Sequence, residues 1–323
     1  MFFPKRSLSS ASAGYLESRT KGVWFRGSGV IARDPKLVYS CCHLFYENGV
    51  WAAEYQFYPA FDGRESPESG TGISPRGFHY FRNYSENSDA YRGDSEMAFA
   101  YDFTVLYALE PFGPAVGWWQ NGSGALGSSR FKRIVGYPED IEFTGASGFT
   151  FQHATDWFRN RAWRTYGDYH SFDGVSTGGG NSGGPVFVQD DANNELLAGI
   201  LVSGSATTAG VYALNDSSHS MASAALGLPK ITRTFGNSEA VLLPDAGRTA
   251  VIREAVTSGF SENIMELKFS VAIATPRRGD LSVWLRSPGG RIRWINKPSG
   301  SNARNLMISN EVLSSNFRGD ASN

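Results

Sequence analysis

Cysteine is nearly absent from this chain: 2 residues in 323, and they are neighbours, Cys41 and Cys42. Adjacent cysteines staple nothing distant, which excludes a disulfide framework. They are expected as two small buried side chains, since free cysteine is among the most buried residue types. Histidine is also scarce, and His79, His153, His170 and His219 form no ligand-spaced cluster with the cysteines, so no metal site is expected. No apolar run approaches the roughly 20 residues that span a bilayer, so no membrane span is expected. The formal net charge is only −1, which gives nucleic acid or an anionic membrane nothing to be drawn to. Sustained amphipathic helical patterns are rare, the one candidate being 220–226. Met1–Ser10 lacks the apolar core of a secretory signal, and with its Ser/Ala-rich continuation residues 1–19 are expected as a flexible leader.

What is present points to β structure. Glycine is abundant at 37 residues, aromatics make up 14% and hydrophobic residues 41%, and short β-prone runs alternate with turn residues. The length suits two domains. The most informative run is Gly180-Asn181-Ser182-Gly183-Gly184-Pro185, a serine caged by glycines and followed by the apolar Val186-Phe187-Val188. A serine hydroxyl attacks a carbonyl only when a base takes its proton. It also needs backbone N–H groups aimed at the oxygen that becomes negative. Glycine reaches the backbone angles such a turn demands and leaves the substrate room.

A base and an acid stand upstream. His43 follows the small residues Ser40-Cys41-Cys42, after the strand-like run Gly27–Ala32. Asp102 heads the apolar β-prone segment Phe103–Tyr107, where a buried carboxylate would hold the imidazole tautomer and stabilise the imidazolium. Asp89 and Asp94 are rivals for the acid, but they lie in a polar stretch expected as a solvated loop. The order His43, Asp102, Ser182 is that of the chymotrypsin arrangement, unlike the subtilisin and α/β-hydrolase orders.

On these motifs residues 20–235 resemble a trypsin/chymotrypsin-fold serine endopeptidase. Val135-Gly136-Tyr137-Pro138 resembles a turn of the bacterial, glutamyl-endopeptidase-like branch. Ser40-Cys41-Cys42-His43 keeps the small residues of the family's histidine motif and moves the cysteine ahead of the histidine. The resemblance implies an all-β fold of two six-stranded antiparallel β-barrels, with hydrolysis of peptide bonds through an acyl-enzyme. It implies His43, Asp102 and Ser182 as the catalytic triad, and the N–H groups of Gly180 and Ser182 as the oxyanion hole. It also implies a substrate pocket with Ser176 at its base, Thr177 beside it and Gly204 and Gly210 on its walls. No carboxylate at Ser176 argues against Lys/Arg substrates; an apolar or aromatic side chain is favoured, and a glutamyl preference stays open through the hydroxyls of Ser176 and Thr177. Asn181 replaces the aspartate that pairs with a freshly cut N-terminus in zymogen-activated relatives, so activity independent of such cleavage is expected. A catalytically inactive homologue used as a binding module is the alternative reading.

After a linker at 236–240, residues 241–323 read as short alternating strands, among them 265–271 and 280–285, suited to a β-sandwich. Gly279-Asp280-Leu281, Leu285–Gly290 and Asn316–Gly319 resemble the jelly-roll P domain of proprotein convertases. By that resemblance the module stops short of its last strands at Asn323, leaving an unpaired sheet edge. It also implies a stabilising or substrate-docking role and a secreted or cell-envelope location. Calcium sometimes accompanies such modules, but Asp280 and Asp320 alone do not call for it, and no cofactor is required.

Overall fold

The computed structural model describes residues 8–61, 72–91, 95–139, 152–228, 268–277, 281–286, 292–297, 299 and 303–312. The chain divides into two units, Met1–Leu228 and Pro229–Asn323.

Residues 8–20 are folded rather than a leader. A short helix α1 (Leu8–Ser12) leads into strand β1 (Ala13–Thr20), whose residues are mostly buried. The Ser/Ala-rich start hides this, because small side chains carry little hydrophobic signal yet fit where strands pack closely. β1 pairs antiparallel with β2 (Val23–Ile31) on one edge and β6 (Glu54–Pro59) on the other. Cutting the chain at residue 20 would therefore remove an interior strand.

The first sheet is completed by β3 (Leu37–Ser40), β7 (Gly77–Tyr80) and β8 (Thr104–Tyr107), in the order β6-β1-β2-β3-β8-β7. Two-residue strands β4 (Tyr46–Glu47) and β5 (Val50–Trp51) pair separately as a hairpin. Ile73, four positions before β7, exchanges backbone hydrogen bonds of 2.7 and 2.9 Å with Phe57 of β6. That contact draws the sheet's two ends toward each other and curls it.

The second sheet has seven strands, one more than expected. They are β9 (Lys132–Gly136), β10 (His153–Ala154), β11 (Arg164–Tyr166), β12 (Tyr169–Asp173), β13 (Pro185–Gln189), β14 (Glu195–Gly204) and β15 (Thr208–Ala213). Their order is β10-β9-β13-β14-β15-β12-β11. The short edge strands β10 and β11 add to the count without a hydrophobic run to announce them.

Two short helices, the polar α2 (Arg82–Tyr91) and α3 (Glu96–Phe99), precede β8, and α4 (Gly122–Gly127) lies between β8 and β9 in the chain. The polar stretch around Asp89 is thus helical rather than a loop, and Asp89 accepts a 2.5 Å hydrogen bond from the Tyr46 hydroxyl. Asp94 lies outside the described residues. The expected helix near 220 runs from Asp216 to Leu226 (α5), its start set by a capping box between Asn215 and Ser218.

One hydrophobic cluster takes side chains from both sheets, including Val38 and Tyr39 of the first and Phe187, Ile200 and Tyr212 of the second, with Phe103 just before β8. Phe103 stacks on Tyr212 with centroids 5.0 Å apart and meets Tyr39 edge-on at 5.2 Å. Such aromatic pairs add about 0.5–1.5 kcal/mol each beyond area burial. They lock the residue next to Asp102 into the seam between the sheets.

In the second unit, β16 (Lys268–Ile273) pairs with β19 (Leu306–Val312), and β17 (Val283–Arg286) with β18 (Ile292–Asn296), all antiparallel. Two strands expected from alternation, 265–271 and 280–285, are there as Lys268–Ile273 and Val283–Arg286. Residues 265–267, 278–280 and 313–323 lie outside the described residues, with Asp280, Asp320 and most of the resemblance motifs.

Candidate active site

Asp102 comes first, because it is the costliest residue to place. It lies between α3 and β8 with no solvent exposure, and a buried carboxylate must be hydrogen-bonded to be tolerated. Both its oxygens are used by one residue. Oδ1 accepts the His43 backbone N–H at 3.0 Å, and Oδ2 lies 2.6 Å from His43 Nδ1. The second contact makes Nδ1 the protonated nitrogen of the neutral ring and leaves Nε2 with its lone pair free for a proton. His43 sits in a 3-10 turn, Cys42–Leu44, directly after β3, so the strand that pairs with β8 also delivers the imidazole to the acid. Its side chain keeps 29% exposure.

Burial pulls the His43 ring toward the neutral form. Cys41 and the Asp102 carboxylate, by charge and hydrogen bond, outweigh it and hold the ring well above the usual imidazole range. Burial pushes both thiols up, Cys42 furthest. Both are free and buried as expected, and they are more than packing. Cys41 Sγ is 3.6 Å from His43 Nε2, and the Cys42 thiol donates to the Phe103 carbonyl at 3.1 Å. One thus touches the histidine and the other the backbone of the residue after the aspartate.

Ser182 is half-buried in the turn before β13. Gly180 and Gly183 on either side have φ of +86° and +81°, a region that side chains resist. A Cβ on Gly183 would collide with Ser28 O and Ser40 Oγ and come within 3.3 Å of Cys41 N. The serine turn is therefore pressed onto the segment that ends in His43. Within it only some of the N–H groups are used by the protein. Those of Asn181, Gly183 and Gly184 donate to Gly178, Leu201 and Asn181 carbonyls. Among the described residues, those of Gly180 and Ser182 donate to no protein group, which suits them to a developing oxyanion.

A residue that sequence reasoning missed ties this together. Ser28, fully buried in β2, donates through Oγ to the Gly180 carbonyl at 2.8 Å and accepts the Tyr137 N–H at 2.9 Å. Its own N–H donates to the Ser182 carbonyl at 2.7 Å, and its carbonyl accepts from Ser40 Oγ at 2.8 Å. One side chain of the first sheet thus fixes the turn of the second. Ser28→Ala is expected to cost about 1–3 kcal/mol of stability, since it strands a buried N–H and C=O. If the turn needs the clamp, kcat should fall while KM stays near wild type; unchanged kcat in a destabilised variant would show that the turn holds itself.

The structure brings most of the expected pocket residues together. Thr177 is buried, its N–H donating to Ser205 O at 2.9 Å and its hydroxyl to Thr208 O at 3.4 Å. It fills the space that a Gly204 side chain would take, and Gly210 lies against Ser203 Oγ and the Tyr169 hydroxyl, which are 3.2 Å apart. Ser176 is exposed rather than enclosed at a pocket base. Asn181, neutral and buried, packs its side-chain oxygen against Gly136 of β9.

No metal cluster was expected, yet ligand atoms of Cys41, His43 and Asp102 lie within 4.8 Å of one another. Nothing in the spacing of these three residues resembles a metal motif. No helix among the described residues is long and apolar enough to cross a membrane.

No protein-family model matches the chain, and no curated protein sequence does. Solved structures do match. Protease Anisep from Arthrobacter nicotinovorans is 16% identical with a TM-score of 0.51, over 67% of this chain and 95% of its own. The thermostable serine protease AL20 from an extremophilic microorganism is 16% identical with a TM-score of 0.51, over 69% of this chain and 100% of its own. A Glu endopeptidase is 16% identical with a TM-score of 0.50, over 67% of this chain and 90% of its own. At that identity the likeness is one of architecture, and the architecture is the chymotrypsin fold of bacterial trypsin-like serine proteases.

Proposed function

We propose that the chain is a serine endopeptidase in which His43, Asp102 and Ser182 act as a triad. The observation that carries this is the Asp102–His43 pair: a wholly buried carboxylate 2.6 Å from Nδ1, with a second bond from its other oxygen to the same residue. That arrangement fixes one ring proton on Nδ1 and leaves Nε2 as the nitrogen that gives up and takes a proton, which a structural ion pair does not require. His43 takes the Ser182 proton as the oxygen attacks the scissile carbonyl, and Asp102 stabilises the imidazolium. The N–H groups of Gly180 and Ser182 receive the oxyanion, each worth about 10²–10³ in turnover. His43 then protonates the leaving amine, and water repeats the cycle on the acyl-enzyme.

With neutral Asn181 in place of a cation's partner, activity needs no new N-terminus. Pocket residues Thr177, Gly204 and Gly210 bring no charge, and Ser176, though exposed, adds none, which fits an apolar or aromatic side chain better than Lys or Arg. The buried Thr177 hydroxyl and the Ser205–Thr208 hydroxyl pair, 2.8 Å apart, keep a glutamyl side chain as the second reading. The protease domain is read as 20–235, extended by the strand that begins at Ala13, with 236–240 as linker and 241–323 as a P-domain-like appendage. Peptide substrates and a secreted or cell-envelope location follow from this reading.

The test is labelling with a fluorophosphonate probe and peptide mapping. One adduct per chain is expected on Ser182, absent in Ser182→Ala and in His43→Ala. A folded chain that takes no label would instead be an inactive homologue that binds partners.

A further inference from the structure

The hydrolytic relay leaves one contact unused. Cys41 Sγ lies 3.6 Å from His43 Nε2, the nitrogen that must take the serine proton. We propose that Cys41 and His43 are a ligand pair for a thiophilic divalent cation, zinc above all, and that the bound ion turns hydrolysis off. The proposal rests on the peptidase reading for its consequence alone; the site itself stands on geometry.

A tetrahedral zinc holds sulfur at about 2.3 Å and imidazole nitrogen at about 2.0–2.1 Å, which sets the two ligand atoms about 3.6 Å apart. Sγ and Nε2 already stand at that separation, so the pair needs no spreading to chelate. Asp102 belongs one layer out. Its Oδ2 is 2.6 Å from Nδ1, too close for two ligands of one ion, which at these bond lengths stand about 3.3 Å apart. A carboxylate on the far nitrogen is instead the partner that a metal-bound histidine ordinarily has, fixing the tautomer and raising ligand basicity. The bond that prepares Nε2 for a proton therefore also prepares it for a metal.

Binding exchanges two waters on the ion for Sγ and Nε2; the thiol proton passes to solvent, and so does the Nε2 proton when the ring starts as an imidazolium. No electron is transferred. The remaining positions on the ion go to water; Cys41 itself is buried, so the ion reaches Sγ from the His43 side, whose side chain keeps 29% exposure. Inhibition follows from valence: Nε2 has one lone pair, and a metal on it excludes the serine proton. Cys42 is no part of the site, because its thiol is committed to the Phe103 carbonyl at 3.1 Å.

The test uses the full chain titrated with cobalt(II) as a spectroscopic stand-in, then with zinc in a peptidase assay. A thiolate-to-cobalt charge-transfer band is expected in wild type, Ser182→Ala and Cys42→Ala, and absent in Cys41→Ser and His43→Ala. The zinc concentration for half-inhibition, taken against each variant's own zinc-free rate, should rise at least 10-fold in Cys41→Ser. Should that variant fail to fold, Cys41→Ala takes its place, since a smaller side chain only vacates space. No band in wild type, a band that survives loss of Cys41, or equal inhibition of both proteins would overturn the site. The band needs no turnover: a chain that shows it but hydrolyses nothing keeps the metal site and loses the peptidase reading. An active chain without it does the reverse.

Discussion

Ser182→Ala is expected to lower kcat for peptide hydrolysis by about 10⁶-fold, and His43→Ala by nearly as much, with the double variant no slower than either. The non-additivity is the informative part. A serine without its base is a neutral alcohol, and a base without the serine has no proton to take, so either loss disables the same step. The residual rate would come from the oxyanion donors and from binding, which neither substitution touches. The turn that presents the Gly180 and Ser182 N–H groups is held by Ser28, by the Gly183 N–H on Leu201 O at 2.8 Å and by the Gly184 N–H on Asn181 O at 2.9 Å. None of these bonds uses the Ser182 hydroxyl, so the alanine variant should keep wild-type stability. Single-turnover rates and melting temperatures on the three variants check both halves. Losses that multiply would mean that the two residues act in separate steps.

The candidate site was legible in the sequence where chemistry is written locally. A glycine cage around Ser182, small residues before His43 and Asp102 at the head of an apolar run are each short-range patterns, and their order supplied the rest. The runs that became β2, β8 and β13 were legible for the same reason, since β-prone apolar stretches and turn residues act over a few positions. Ser28 was not, because its two critical bonds reach residues 109 and 152 positions away, and a buried serine looks like any other in a strand. The meeting of Cys41 with Nε2 was hidden for a different reason. It depends on how a 3-10 turn swings the His43 ring back over the residue two positions earlier, which no periodicity encodes. β1 escaped because Ala13 and Gly14 carry almost no hydrophobic signal, although both are buried between β2 and β6. The α2 segment escaped because a polar helix on the surface has the composition of a loop.

The second large effect concerns the acid alone. Asp102→Asn is expected to lower kcat by about 10⁴-fold while leaving the fold intact. The carboxamide is nearly the shape of the carboxylate it replaces, so its oxygen can keep the 3.0 Å bond from the His43 N–H. Its NH2 group then faces Nδ1, where Oδ2 stood at 2.6 Å. A donor at Nδ1 forces the ring proton onto Nε2. That nitrogen then carries a hydrogen instead of a lone pair, and the base is lost through its tautomer, not its position. The pH dependence distinguishes this from simple damage. In wild type His43 is held well above the usual imidazole range, and only the neutral ring accepts a proton, so the rate should rise with pH through that raised value. Removing the carboxylate removes a charge that stabilises the imidazolium, and the acid limb of the profile should move to lower pH. A variant that lost 10⁴ in rate with its acid limb unmoved would mean that Asp102 positions the ring without setting its charge. One that kept near-wild-type kcat would remove Asp102 from the triad, and Asp89 of α2, hydrogen-bonded to Tyr46, would be the next carboxylate to replace.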